Sequence, residues 1–377
     1  MTGAVLTRRA LNRATVARQA LLERAAMPAL DMVGHLVAVQ AQEPDAPYVG
    51  LWTRLEGFGH DELARLLEDR LVVRSTVLRG TQHLVRADDF LWLRPLVQPV
   101  LERVWRGTLG RRTDGVDPAE LAAATRGLLA GRTLTRSQLR DLLAERWPDR
   151  DHQALAWAAQ ALVPVVHPPP AGTWRRRGAI PSTLAEEWLG RPLAAAPAPE
   201  TLLRRYLAAF GPASVADVQA WSGLTRLREV VERLRGELRS FRDEAGRELL
   251  DLSDAPLVAP DVPAPVRFLP EFDNLLLGHA DRTRVLSDEH RGLVVGGLAA
   301  VLVDGFARAV WSVARDRDTA TLVVEALGDP LPAADQAAVA EEGARLLAFV
   351  AADATGHDVR FTPPGPTASP GPRRGRS

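Results

Sequence analysis

The segment Gln40-Ala41-Gln42 is the part of the sequence whose residue types and spacing could do chemistry. It follows an apolar stretch, Met32 to Val39, that we predict to be helical, and it precedes Glu43 to Pro47, a loop that stops the helix. Where the backbone leaves helical geometry, side chains two residues apart can point into one cleft. A carboxamide both donates and accepts hydrogen bonds, so such a pair could hold a water molecule or face a developing positive charge. Solvated amides at a helix end are the simpler interpretation of the pattern alone.

Other common catalytic signatures are absent from the sequence. There is no cysteine, which excludes disulfides, thiolate nucleophiles and Cys-ligated zinc. The 8 histidines are scattered without the spacing of a zinc-binding helix, and no phosphate-binding glycine loop or Gly-x-Ser-x-Gly elbow occurs. All 47 basic residues are arginine, so no side-chain amine is available to form a Schiff base. We therefore expect no metal and no cofactor.

Length and composition indicate a protein of several structural units. The chain has 377 residues, whereas single domains usually have about 100 to 200. An ordinary hydrophobic fraction of 46%, the lack of a long apolar run and the lack of a signal-peptide pattern favour a cytoplasmic protein with no membrane partner. The formal net charge is +0, which argues against a uniformly basic surface but permits a basic face.

Three stretches share a pattern of short helices followed by two extended segments. The stretches are Leu30 to Val85, Thr133 to Pro181 and Ala213 to Leu252. In the last of them, Ser214 is a plausible N-cap, Thr225 is predicted to cap the next helix, and Asp243 to Gly246 is a hairpin turn signal. Helix, turn, helix and hairpin is the winged-helix pattern, in which the second helix can enter the major groove of DNA and the hairpin is the wing.

The wings predicted for the first two copies carry arginines that could contact DNA. In the second copy, the arms Leu162 to Val166 and Trp174 to Ile180 flank a proline corner. Because arginine pairs with phosphates and inserts into the minor groove, we predict a DNA-binding set. The set is Trp174, Arg175, Arg176 and Arg177 of that wing and Arg79 of the first wing, with Arg103, Arg106, Arg111 and Arg112 as second choices. A basic turn without a DNA partner is the alternative interpretation.

The rest of the chain predicts a different kind of unit. Strand-like runs occur at Leu298 to Val303 and Thr321 to Glu325, and an amphipathic helix is predicted over Ala333 to Ala351. The fold class is therefore α+β, with tandem winged-helix domains and a small C-terminal domain that is β-rich or barrel-like. The expected units are residues 1–115 with the first winged helix, 116–195 with the second, 196–260 with the third, 261–361 as an α/β or barrel-like domain, and 362–377 as a disordered tail.

Five blocks of the sequence resemble the AlkZ/YcaQ family of DNA glycosylases, whose members share a Gln-x-Gln or Gln-x-Asp motif. The blocks are ALNRATVARQALLER (Ala10 to Arg24), VAVQAQEPDAPYVGLWTRL (Val37 to Leu55), LRGTQHLV (Leu78 to Val85), SVADVQAWSGL (Ser214 to Leu224) and VRFLPEFDNLLLGHADRTRVL (Val266 to Leu286). They cover both halves of the chain in the order that the family has. The resemblance implies a C-shaped arrangement around duplex DNA, removal of N-alkylated purines and, in some members, unhooking of interstrand crosslinks. It also implies that Gln40 and Gln42 are the catalytic pair.

Within this resemblance, two amides suit one kind of substrate. Glutamine is not a general base, so the leaving group must already be activated, as it is in a cationic N7- or N3-alkylated purine. Because the chain has no lysine, only the N-terminal amine could capture the sugar, and we predict a monofunctional enzyme that uses water and leaves an intact abasic site. Glu43 and Asp45 are close enough in sequence to be a hidden base, with loop solvation as the alternative.

Two other classes of function stay open at this point. Winged helices are often used by transcriptional regulators without catalysis, and a module whose wings contact protein is a further alternative. On the glycosylase hypothesis, the partner is double-stranded DNA carrying alkylated purines, and the protein is a monomer.

Overall fold

A computed structural model describes residues 4–196 and 198–363 of the chain. It begins with a short strand, β1 (Val5–Leu6), and a helix, α1 (Arg8–Arg18), which the side chain of Thr7 caps. The predicted disordered tail lies outside the described residues from residue 364 onward. None of the helices in the described ranges is long and apolar enough to cross a membrane.

The first repeating unit consists of a helix, a short strand, two helices and two strands. Its elements are α2 (Ala29–His35), β2 (Val39–Gln40), α3 (Ala46–Trp52), α4 (His60–Glu68), β3 (Val72–Thr76) and β4 (Gln82–Arg86). The sheet order is β2-β4-β3, so the last strand lies in the middle. A long helix, α5 (Ala87–Leu109), then leads to the second unit.

The second and third units repeat this order. The second has α6 (Pro118–Leu129), β5 (Leu134–Thr135), α7 (Arg136–Arg146), α8 (His152–Leu162), β6 (Val165–Val166) and β7 (Pro181–Leu184), and is followed by α9 (Ala185–Leu189). The third has α10 (Pro199–Phe210), α11 (Val215–Ser222), α12 (Leu227–Arg233), β8 (Leu238–Asp243) and β9 (Glu248–Leu252). The second sheet has the order β5-β7-β6. In the third unit the short strand is reduced to a bridge between Ala213 and Leu250 of β9. All three units therefore share this order of elements, and the third sheet has one additional strand, β1, paired in parallel with β8.

Local caps explain where several of these helices begin. The side chains of Thr135 and Gln138 form a capping box at α7, and those of Ser214 and Asp217 form one at α11. The predicted cap at Thr225 is wrong, because α12 begins at Leu227, whose backbone N–H donates to Gln219 Oε1 at 3.2 Å. A side chain of the preceding helix therefore satisfies this helix start.

Two predicted elements of the first two units differ from the structure. The helix predicted up to Val39 ends at His35, and the chain turns at Val37, whose φ is 68°. Val39 then pairs with Leu84 in a buried strand. The prediction of a helix failed here because a short run of apolar residues fits a buried strand and a buried helix equally well. The second arm of the second hairpin is Pro181–Leu184 rather than Trp174 to Ile180, which contains turns instead of a strand.

Contacts between the edges of two sheets join the first and second units. The His167 N–H donates to the Arg74 carbonyl oxygen at 2.9 Å, and Ser75 Oγ donates to the Val165 carbonyl oxygen at 2.6 Å. Helix α5 joins the first and third units, because its residues Phe90 and Val97 belong to the same buried core as Trp221. The three units are thus packed against one another and are not separated by flexible linkers.

The C-terminal unit is an open sheet with a long helix packed on it. Its elements are β10 (Arg267–Leu269), α13 (Asn274–Leu277), α14 (Arg291–Val295), β11 (Ala299–Val303), β12 (Phe306–Asp316), β13 (Thr319–Ala326), α15 (Ala333–Val350) and β14 (Gly356–Thr362). The sheet order is β10-β11-β12-β13-β14, with β10 and β14 at opposite edges. Of the two predicted alternatives, an α/β unit therefore describes it better than a barrel. Arg54, two residues after the end of α3, holds this unit through two hydrogen bonds to Asp273, at 2.8 and 2.7 Å.

Candidate active site

Gln40 lies at the end of β2 and is 6% exposed. Its Oε1 accepts hydrogen bonds from the backbone N–H groups of Ala41, at 2.9 Å, and Gln42, at 3.3 Å. Its Nε2 donates to Thr81 Oγ1 at 3.3 Å. The amide of Gln40 is therefore engaged within the protein, where it fixes the turn that follows the strand.

Gln42 is the exposed member of the pair. It lies at a cleft of about 380 Å³ between the first unit, α5 and the second unit. The apolar lining of the cleft includes Leu101, Val104, Trp105 and Trp157, and its polar lining includes Arg74, Gln82, Arg136 and Gln160. Gln42 Oε1 accepts a hydrogen bond from the Gln82 backbone N–H at 3.4 Å, which holds this side chain against β4. The structure thus brings the two predicted glutamines into one turn but exposes one of them.

Two buried residues of the sheet, Arg74 and His83, contact the motif. Arg74 of β3 is 2% exposed, and its Nε and Nη2 donate to the Ala41 carbonyl oxygen at 3.2 and 2.9 Å. Burial lowers the pKa of Arg74 to about 10, so the group keeps its charge at neutral pH. His83 pairs with Gln40 across the sheet, and burial lowers its pKa to about 3, so this imidazole is neutral.

The two carboxylates that follow the motif are bound by one arginine. Arg177 donates to Glu43 Oε2 at 3.4 Å and to Asp45 Oδ2 at 2.8 Å. Asp45 Oδ1 also accepts from the Arg175 backbone N–H at 2.7 Å. Neither carboxylate is among the residues that line the cleft. The segment predicted to be a DNA-binding wing therefore packs on the loop after the motif.

The remaining predicted residues of that segment have different environments. Trp174 lies in an aromatic cluster, with its ring centroid 4.3 Å from that of His60 and 5.8 Å from that of Phe349. Arg175 Nη1 donates to Asp353 Oδ1 at 2.9 Å. Arg176 is exposed, and its guanidinium makes no ion pair or hydrogen bond within residues 4–196 and 198–363. Of the four residues, Arg176 is thus the one whose charge faces solvent without a partner in the part of the chain that the structure describes.

Arg79 points toward the third unit. Its backbone has a φ of 54°, its Nη1 donates to the Trp221 carbonyl oxygen, and burial lowers its pKa to about 10. Among the second choices, Arg103 donates to the Gly223 carbonyl oxygen at 3.2 Å. Arg106 pairs with Glu102 at 3.1 Å and Arg112 with Asp151 at 2.8 Å, while Arg111 is exposed. Most of these arginines therefore join parts of the protein.

Four cleft residues were not singled out from the sequence. Arg74 carries the one charge within the apolar stretch Val72 to Leu78, and this is a weak signal for an inward-facing functional residue. Trp157 is the one aromatic residue of the alanine-rich helix α8. Gln82 and Arg136 carry no comparable signal. Within the described residues, no group of three or more His, Asp or Glu side chains could hold a metal ion.

Comparisons with known proteins support the resemblance stated above. The model of a family described as DNA glycosylase AlkZ-like matches residues 33–349. An interstrand DNA cross-link repair glycosylase from Streptomyces sahachiroi is 28% identical over 325 residues, which cover 78% of this chain and 85% of that protein. The structure of the DNA glycosylase AlkZ from Streptomyces sahachiroi matches with a TM-score of 0.76 and 25% identity, over 95% of this chain and 100% of that chain. The predicted family is confirmed, and the chain belongs to the AlkZ-like family of DNA glycosylases, enzymes whose substrate is DNA.

Proposed function

We propose that the protein is a monofunctional DNA glycosylase that hydrolyses the N-glycosyl bond of cationic N-alkylated purines. In this proposal Gln42 contacts the reacting sugar or the attacking water, and Gln40 positions Gln42. The observation that carries this assignment of roles is that the two side chains have different environments. Gln42 is exposed at the cleft, while the amide of Gln40 holds the turn. Gln40 is thus a positioning residue.

The chemistry needs little catalytic power. As the bond between C1′ and N9 breaks, its electron pair moves to the base, which leaves as a neutral molecule, and positive charge develops on the sugar. The oxygen of a water molecule then bonds to C1′, and the proton that it loses passes to solvent. The Gln42 carboxamide can either face the sugar with its oxygen or hold the water with one donated and one accepted hydrogen bond. A contribution of about 2 to 4 kcal/mol from such positioning and electrostatics is sufficient for a labile cationic substrate.

The repeated topology supports a mode of DNA binding. We infer that the three units are winged helices that together form the predicted C-shape around double-stranded DNA, with the protein acting as a monomer. Arg176 is the strongest candidate for a phosphate contact in the Trp174 to Arg177 segment, because its guanidinium has no protein partner among the described residues. Arg175, Arg177 and Arg79 would contribute only if DNA displaced the groups that they bind. The name of the Streptomyces relative supports including interstrand crosslinks among the substrates.

The decisive experiment is base release from a duplex that contains a single 7-methylguanine. The wild-type protein should release the base, and Gln40→Ala/Gln42→Ala should release it at least 100-fold more slowly. Equal release by both proteins would remove the motif from the mechanism. Tight DNA binding without release by either protein would favour a non-catalytic DNA-binding protein.

The absence of lysine makes a separate prediction about the product. With no side-chain amine to capture the sugar, the abasic strand should stay intact after base release. Denaturing electrophoresis without alkali should show a full-length strand, and borohydride should trap no covalent adduct. A borohydride-trapped adduct would contradict the hydrolytic mechanism.

A further inference from the structure

The cleft beside Gln42 exposes aromatic and apolar surface that folding alone does not explain. Trp157 is 45% exposed, although its neighbours Ala156 and Ala158 on α8 are fully buried. Val104 of α5 also lines the cleft and is 36% exposed. The volume of about 380 Å³ falls within the range of ligand pockets, about 300 to 1,000 Å³. The surface is therefore suited to a planar apolar group.

A residue that lines the same cleft has a buried acceptor with no hydrogen-bond partner among the described residues. Gln82 is 8% exposed, and its Nε2 donates to Thr76 Oγ1 at 2.8 Å. Its Oε1 is buried and accepts no hydrogen bond from any described residue. An unsatisfied buried acceptor is unfavourable, so a ligand that supplies an N–H donor would be favoured here. Gln82 also lies next to the motif, since its carbonyl oxygen accepts from the Ala41 N–H at 2.8 Å.

The charge of the cleft disfavours a cation. Arg74 and Arg136 both line it, and no described lining residue is an aspartate or a glutamate. The guanidinium of Arg136 lies 3.6 Å from the centre of the Trp157 ring, and its Nη2 donates to Gln160 Oε1 at 3.0 Å. Neither contact neutralises its charge. A phosphate would suit two arginines, but it would leave the aromatic walls and the Gln82 acceptor without a complement.

From these observations we infer that the cleft is the subsite that receives the leaving purine, with the Trp157 ring against its face and Gln82 Oε1 accepting from an N–H on its edge. This inference rests on the proposed function and deepens it. When the glycosidic electron pair moves to the base, the alkylpurine loses its positive charge, while positive charge develops on the sugar. Two guanidinium groups near the base disfavour the state in which the base carries the positive charge. They favour the state in which the base is neutral and the charge lies on the sugar. The subsite therefore assists departure as well as recognition.

Binding of the free product tests this inference without relying on catalysis. Radiolabelled 7-methylguanine is dialysed to equilibrium against the full-length protein bound to a duplex with a tetrahydrofuran abasic-site analogue. Because base stacking on an aromatic side chain and one hydrogen bond are lost separately, Trp157→Ala should weaken binding about 10-fold and Gln82→Leu about 3- to 10-fold. Trp157→Phe keeps a ring and should restore most of the affinity.

Matched controls separate this inference from the catalytic one. Trp188 also stacks on an arginine, with Arg70 at 4.1 Å from its ring, but it lies outside the cleft, so Trp188→Ala should bind 7-methylguanine like the wild type. Gln42→Ala should lose base release but weaken product binding less than Trp157→Ala does, because the contacts to the base are assigned to Trp157 and Gln82. Equal binding by the wild type, Trp157→Ala and Gln82→Leu, or no binding by the wild type, would overturn the inference. Displacement of 7-methylguanine by inorganic phosphate at equal concentration would overturn it in favour of an anion site.

Discussion

The first and second repeating units have the same topology but differ where the short strand meets the next helix. In the second unit, β5 ends at Thr135 and α7 begins at the next residue, with Thr135 as its cap. The third unit is similar, because Ser214 directly follows the bridge at Ala213 and caps α11. In the first unit, residues 41–45 separate Gln40 from α3.

On the proposed function, this difference explains how one repeat has a site that the others lack. In the second and third units, the polar residue at the end of the short strand or directly after it belongs to a capping box. The inserted loop of the first unit leaves Gln42 exposed, and Arg74 and Gln40 hold the loop through Ala41 and Gln42. Function is therefore assigned to the place where one unit departs from the shared pattern, rather than to the pattern itself.

Equivalent substitutions at the end of the short strand should have unequal effects in the two units. Gln40→Ala should slow the single-turnover release of 7-methylguanine about 10- to 100-fold, because Gln42 loses the hydrogen bond that fixes its backbone. Thr135→Ala in the second unit should leave the rate within about 2-fold, because it lies in a cap and not at the motif. Similar rates for the two variants would break the comparison.

Acid should destabilise the two units alike, since each contains a buried neutral histidine. Burial lowers the pKa values of His83 and His167 to about 3, whereas the unfolded chain binds a proton near pH 6.5. The folded state therefore binds fewer protons, and stability is lost as the pH falls below about 6.5. Between pH 7 and pH 5, urea unfolding should show a loss of about 2 kcal/mol per histidine, which His83→Gln or His167→Gln should reduce. If the free energy of unfolding of either variant depended on pH as steeply as that of the wild type, that histidine would not be the cause of the acid sensitivity.

The caps of the second and third units should matter for stability alone. Thr135→Ala and Ser214→Ala should each lower the free energy of unfolding by about 1 kcal/mol, because each removes the side-chain acceptor of a helix N-terminus. Urea denaturation gives this value from the shift in midpoint at constant slope. A loss of base release larger than the loss of folded protein would mean that these two caps act on the site as well as on folding.

The smallest effect is expected at the arginine that binds the loop carboxylates. Arg177→Ala should change the free energy of unfolding by less than about 1 kcal/mol, because its ion pairs with Glu43 and Asp45 are partly exposed to solvent.

Glu43→Gln should keep the rate of base release within about 3-fold if the amides suffice. A loss of about 100-fold in Glu43→Gln would instead identify a general base in the loop.

The sequence predicted local structure better than contacts between distant residues. The helix predicted from Ala333 occurs at Ala333–Val350, the Ser214 cap is present, and the hairpin at Asp243 joins β8 and β9, because each depends on residues close in sequence. The strand predicted over Trp174 to Ile180 is wrong, because the Trp174 ring packs on Phe349 and Arg175 and Arg177 pair with carboxylates that are distant in sequence. The support of the motif by Arg74 is also a long-range contact that periodicity does not reveal.

The most direct test of the account compares the rate of base release with DNA affinity in Gln42→Ala. Gln42 is exposed and its side chain accepts one long hydrogen bond, so the variant should fold normally. We expect single-turnover release of 7-methylguanine to fall at least 100-fold, while affinity for a duplex with an abasic-site analogue stays within about 3-fold of the wild type. A wild-type rate in Gln42→Ala would contradict the central claim that this amide, exposed in the first unit, performs the chemistry.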